Sequence, residues 1–245
     1  LRNPGLRKCP TLGAKTVRLK RFIKQYSGSS FPTLIETECG GEYILKMRGS
    51  GNGSLSLLSE FIANSVTSQL GWPVPSVEWV SIPENFPWTF GTDEFDDIVQ
   101  KSYGWNLGIE YIRDARQLRA KDIDLSDKVL LNSIYTLDVF FINVDRTDSS
   151  CNLLTDFENR TWLIDHGSLA LFHGLEKCGY GLFDNHILHD VIKTARMNYR
   201  MDLHNVNLFQ KAIELVPDSI LVGSKFSKRS LLELIKARIE KFDLG

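Results

Sequence analysis

The chain has little cysteine and spreads it widely: Cys9, Cys39, Cys151 and Cys178 are the only four, and no two form a CxxC pair. That spacing fits neither a zinc site nor a dense disulfide framework, and a reducing cytoplasm is the default expectation. Long apolar runs are also missing. The longest stretch, from Val129 to Val144, is interrupted by Asn132, Asp138 and Asn143, which makes it too short and too polar to span a bilayer. No signal peptide is visible. Charge of one sign is absent too: a formal net charge of -1 supplies no global attraction to nucleic acid or an anionic membrane. Neither a GxSxG elbow nor a Walker A loop occurs.

What is present is ordinary for a folded protein. With 42% hydrophobic and 24% charged residues in 245, the chain can build a sizeable core, as one large domain or as two lobes around a cleft. One local basic stretch stands out, in which Arg18, Lys20, Arg21 and Lys24 are interleaved with Val17, Leu19, Phe22 and Ile23. A solvated strand or helix edge explains it better than nucleic-acid contact does.

The first half reads as mixed β. Apolar runs between Val17 and Lys46 are separated by Ser27–Ser30 and by Cys39–Glu42, which predicts three antiparallel strands. Ser54 is a good N-cap for a helix with Leu57, Leu58, Phe61, Ile62 and Val66 on its apolar face, ended by Gly71 and Pro73. Strands are expected at Val77–Ile82 and Leu107–Ile112, with a short helix around Asp93–Lys101. Beyond that point helices dominate. One is capped by Ser126 or Asp127 and carries Val129, Leu130, Ile134, Leu137 and Phe141, and others are expected at Leu182–Ala195, Asn207–Val216 and Arg229–Phe242.

The most informative segment runs from Asn143 through Asp145, Arg146 and Asn152 to Trp162, Asp165 and Gly167. Two short apolar runs, Asn152–Thr155 and Thr161–Ile164, flank Asp156–Arg160 and should pair as a hairpin, bringing Asn152 and Asp165 together at its open end, with Asp145 facing the same point. An amide oxygen beside a carboxylate makes a hard-oxygen site suited to magnesium completed by phosphate oxygens. A further carboxylate can accept the proton of an attacking hydroxyl, which is the arrangement phosphoryl transfer needs. Each residue alone could merely cap a turn. Together with Lys46 at a strand end and Glu60 on the next helix, placed to pair with each other and hold nucleotide phosphates, the set points to a kinase.

The chain resembles the HipA-like kinase family over nearly its whole length. The resemblance is carried in order by Gly28-Ser29-Ser30-Phe31-Pro32, Tyr43-Ile44-Leu45-Lys46, Glu60-Phe61-Ile62-Ala63, Leu70-Gly71-Trp72-Pro73-Val74-Pro75, Asn106–Tyr111, Asn143-Val144-Asp145-Arg146, Asn152-Leu153-Leu154 and Ile164–Ala170. It implies an α+β, two-lobed protein-kinase-like fold, with a strand-rich lobe over 1–112 and a helical lobe over 113–245. It further implies ATP and Mg2+ as cofactors, Lys46 as the ATP-phosphate lysine with Glu60, Asp145 as catalytic base, and Asn152 and Asp165 as magnesium ligands. The backbone at Glu110, Tyr111 and Ile112 becomes the adenine hinge. Ser27–Ser30 becomes the phosphate-covering turn, including Ser29 and Ser30 among its nucleotide contacts, with Ser27, Ser29 and Ser30 also as regulatory phosphorylation sites.

The implied function is an ATP- and Mg-dependent serine/threonine protein kinase, with an unidentified protein substrate and a partner of antitoxin type or another regulatory partner. The alternatives are a phosphoinositide kinase, against which the chain shows neither an anchoring segment nor a cysteine cluster for palmitoylation, and a nucleotide-binding pseudokinase. Gly49, Gly51 and Gly53 follow the lysine instead of preceding it and read as a connector. His186 and His189, three apart on an expected helix, lack a third metal ligand, and His166 reads as structural. The five tryptophans, Trp72, Trp79, Trp88, Trp105 and Trp162, read as packing residues.

Overall fold

A computed structural model describes residues 17–28, 30–51, 53–87, 92–174, 183–190 and 202–243. Alternation of apolar and charged residues builds β1 (Val17–Gln25), β2 (Thr33–Thr37) and β3 (Glu42–Lys46), the three expected strands. They join β4 (Val77–Ile82) and β5 (Gly104–Glu110) in a closed barrel of order β1-β2-β3-β5-β4, in which β1 runs parallel to β4. Inside lies a cluster of Leu19, Phe22, Ile35, Leu45, Val80 and Ile82. The basic residues of β1 point outward, where Lys20 and Arg21 reach Glu36 across the strand pair at 2.5 and 2.7 Å.

Helix α1 (Gly53–Gln69) is buried along most of its length because Leu57, Leu58, Phe61, Ile62, Ala63 and Val66 wrap more than one face. It starts at Gly53 in the left-handed conformation, one residue before the expected serine cap. Helix α2 (Asp93–Lys101) is capped by the Thr92 side chain. Between β3 and α1 the chain is fastened to β5 and to the turn before it: Arg48 N donates to Asn106 Oδ1 at 2.9 Å and Gly49 N to Ser102 Oγ at 2.9 Å. A Cβ on Gly49 would lie 2.6 Å from Ile98 O, so close approach explains this glycine. This connector is held by both bonds.

β6 (Arg116–Gln117) adds to a small sheet with β7 (Leu153–Thr155) and β8 (Thr161–Leu163), while α3 (Lys128–Phe141) begins at Asp127, whose carboxylate accepts from Leu130 N. Three changes to the expected pattern matter. The last barrel strand ends at Glu110, not Ile112, and β6 was not foreseen. Of the expected helix from 182 to 195, the described part is helical only at 189–190; residues 183–188 form turns, and His186 bridges to Thr147. Short helices also occur at α4 (Ala170–His173) and at α6 (Asp218–Leu221), the latter after α5 (Val206–Glu214) and before α7 (Lys228–Asp243).

A larger apolar core unites α1 with the second half of the chain: Phe61 and Val66 belong with Ile134, Phe140, Phe172, Phe209 and Ile235. Trp79 is buried against Phe61 with ring centroids 4.6 Å apart, and Trp72 and Trp105 pack on the same core. Trp88 lies outside the described residues. Cys39 lies in the β2–β3 turn, where its sulfur is 3.2 Å from Thr37 Oγ1, and Cys151 is a free buried thiol.

Candidate active site

Lys46 is the last residue of β3, and its ammonium is almost wholly enclosed. It pairs with Glu60 Oε2 on α1 and, at 2.8 Å, with Asp165 Oδ1. Burial works against this cation, but the Glu60 and Asp165 carboxylates outweigh it and raise its pKa above the ordinary lysine range. Glu60 is fully buried, and its second oxygen, Oε1, has no hydrogen-bond partner among the described residues. Burial therefore raises the Glu60 pKa even with Lys46 beside it. Asp165 is about half exposed, and the Lys46 charge lowers its pKa.

The β7–β8 hairpin delivers the other oxygens. Leu153 faces Leu163 and Ile164 N donates to Asn152 O at 3.1 Å, so Asn152 and Asp165 meet at the open end, as the spacing predicts. Both carry positive φ, 50° at Asn152 and 64° at Asp165, a left-handed backbone that asparagine and aspartate tolerate best among non-glycine residues. The next residue but one, Gly167, lies close against α1: a Cβ there would come within 2.3 Å of Ser56 Oγ and require that side chain to turn away. The distal turn is organised by Asp156, which accepts from Glu158 N, Arg160 N, Arg160 Nε and Trp162 Nε1 at 2.8 to 3.0 Å.

Asp145 sits in the loop after α3, with its amide donating to Asn143 Oδ1 at 3.2 Å. Among the described residues its carboxylate has no hydrogen bond or ion pair, unlike those of Asp138 and Asp165. A cleft of about 570 Å³ opens between the loop beyond it, Thr147–Ser149, and residues 184–190.

What holds this loop is a buried polar network whose extent was not legible in sequence. Arg146, fully buried, uses all five of its N–H donors: two to Asp138, two to the carbonyls of Cys151 and Asn152, and one to His166 Nε2. Asp138 also accepts from Asn143 Nδ2 at 2.7 Å and from His186 Nε2 at 2.9 Å. Burial pushes the Asp138 carboxyl up, but Arg146 and His186 outweigh it and leave its pKa at about 2. His186 is thereby explained as a tether of residues 183–190, not as a metal ligand. One signal was available: Asp138 interrupts the apolar face of α3 between Ile134 and Phe141, both fully buried. A charge in that stripe requires a buried partner.

Burial, reinforced by the neighbouring Arg146 charge, lowers the His166 pKa to about 3. Its ring is neutral at ordinary pH.

The remaining site residues are placed as follows. The amides of Glu110 and Tyr111 are bonded to Ser76 O and Glu42 O at 2.8 and 3.2 Å, and among the described residues the Ile112 amide has no backbone acceptor. Residues 26–32 form the β1–β2 turn, closed by Tyr26 N to Pro32 O at 2.9 Å. Ser27 is exposed and Ser30 partly so, while Ser29 lies outside the described residues. No three His, Cys, Asp or Glu side chains converge as a metal site among the described residues. A cation here would depend on Asn152, Asp165 and oxygens from a ligand, a donor set that fits magnesium and does not fit a thiolate- or imidazole-seeking metal.

A buried lysine–glutamate pair joined to an aspartate at a hairpin end, in a mixed α+β chain, is an arrangement consistent with a kinase-type protein. Residues 20–234 match the family model described as HipA-like kinase, and the chain belongs to that family. No curated protein sequence matches it significantly. Among solved structures it is similar to the proinflammatory kinase CtkA of Helicobacter pylori, at 12% identity and a TM-score of 0.46, covering 93% of each chain. It is also similar to the Rio2 kinase of Chaetomium thermophilum, solved as an ADP/Mg2+-phosphoaspartate complex, at 14% identity and a TM-score of 0.40, covering 94% of this chain and 72% of that one.

Proposed function

We propose that this protein is an ATP- and magnesium-dependent phosphotransferase acting on serine or threonine of a protein, with nucleotide held between a strand-rich lobe (1–112) and a helical lobe (113–245). The observation that carries the reading is the Lys46 ammonium, bound to both Glu60 and Asp165, at the same hairpin end as Asn152. Lys46 contacts the α- and β-phosphates, and Glu60 keeps it extended toward them. The Ile112 amide is the adenine donor, and the 26–32 turn covers the phosphates. Asn152 and Asp165 would hold magnesium, which supplies charge neutralisation on the phosphate oxygens.

Asp145 is the base. Among the described residues no donor occupies its carboxylate, which can accept the proton of an alcohol entering from the cleft beside Thr147–Ser149. The preference for a protein acceptor over lipid rests on that open, polar cleft.

Intact-mass spectrometry after incubation with Mg-ATP, alone and with generic protein acceptors, tests this. Wild type should transfer whole phosphoryl groups, and Asp145→Ala should lose at least about a hundredfold in rate, as removal of a general base does. Absence of transfer to any protein refutes the protein-kinase reading, and transfer confined to phosphoinositide micelles reassigns the acceptor.

A further inference from the structure

His166 occupies the position after Asp165 and is fully buried, as are Asn64 and Arg146, the two side chains it joins. Its tautomer follows from its partners. Arg146 Nη2, 3.3 Å from Nε2, can only donate, so Nε2 carries the lone pair and Nδ1 carries the proton. Nδ1 then donates to Asn64 Oδ1 at 2.7 Å. Asn64 confirms the orientation independently, because its Nδ2 donates to Pro75 O at 3.3 Å and leaves Oδ1 to accept. The His166 carbonyl is held as well, accepting from Ser59 Oγ at 2.8 Å.

Asn64 lies four residues after Glu60, one turn along the same face of α1. Consecutive residues therefore bind consecutive turns: Asp165 reaches Glu60 through Lys46, and His166 reaches Asn64 directly. The result is a closed ring of contacts, Lys46–Glu60–Asn64–His166–Asp165. From that ring one bond leads to Arg146, which holds the backbone carbonyl of Asn152 at 2.7 Å.

We propose that His166 is a positioning residue, a neutral two-ended clamp that fastens α1 to the loop of Asp145 and Arg146 and so keeps the Lys46–Glu60 pair in register with Asn152 and Asp165. An apolar ring of similar size would fill the same space but leave Asn64 Oδ1 and one Arg146 N–H buried without partners. The clamp is geometric, and only its catalytic consequence rests on the phosphotransferase reading.

Hydrogen exchange on the full chain reads the clamp without requiring activity. His166→Phe should accelerate exchange about tenfold in α1 around Asn64 and, together with it, in residues 143–146, while α7 stays unchanged. His166→Gln, which keeps one donor and one acceptor, should recover part of that protection. Asn64→Leu cuts the same link from the other side and should reproduce the pattern, and it decides the matter if His166→Phe does not fold. If wild type transfers phosphate, the variants should lose about tenfold in turnover with nucleotide affinity nearly unchanged. Acceleration spread over the whole protein, or none in α1, overturns the clamp. A wild type that transfers nothing refutes the functional reading instead and leaves the exchange result to stand.

Discussion

Lys46 is the residue on which most of the site depends, and the consequence of removing it can be worked out from its neighbours. Lys46→Met leaves the fully buried Glu60 without its ion-pair partner, and breaking a buried pair from one side costs about 3 kcal/mol near neutral pH. The Glu60 pKa, already raised by burial, rises further once the ammonium is gone. A carboxyl whose folded-state pKa exceeds its unfolded value favours folding when protonated. The deficit of Lys46→Met should therefore narrow as pH falls toward about 5, and Lys46→Met/Glu60→Gln should recover much of it at neutral pH. Urea unfolding at the two pH values checks this, and a deficit independent of pH would contradict it. Lys46, Glu60, Asn152 and Asp165 were legible in sequence because each has a fixed relation to a strand end, a helix or a hairpin. Asn64 and His186 were not, since their partners lie 102 and 48 residues away.

At the scale of the element, the β7–β8 hairpin aims the site. Its register follows from two short apolar runs and the turn between them, which is why the meeting of Asn152 and Asp165 was foreseeable. The turn itself depends on Asp156, whose carboxylate gathers two amides, a guanidinium and an indole. Asp156→Ala should lower stability by about 1–3 kcal/mol, since it removes charge-assisted bonds from a nearly buried acceptor. Denaturant midpoints of the two proteins measure it, and equal midpoints would show that the turn is held by its strands alone. Helices and strands with clean periodicity matched their expected places. The 183–187 segment did not, because its apolar residues are spaced helically while His186 is captured by Asp138 and Ile187 N by the Arg146 carbonyl at 3.2 Å. Tertiary hydrogen bonds there outweigh local propensity.

For the whole molecule the buried network predicts an acid limit. Asp138 has a folded-state pKa of about 2 against an ordinary value of 3.8, so the unfolded chain binds more protons between those values. Its stabilisation, about 2 kcal/mol by linkage, is fully present above about pH 4 and is lost as pH falls toward 2. Stability measured by urea unfolding should drop by at least that amount over this window, and a flat profile there would refute the role given to Asp138. By itself the sequence determined the order of elements, the strand-rich start and helical end, and the residues fit for phosphate chemistry, because periodicity and turn residues act locally. Only the tertiary structure decided that Arg146 and His166 tie α1, the hairpin and the Asp145 loop into one buried assembly. The reason is physical: a buried charge must find its partners wherever the fold brings them, and sequence distance does not record that.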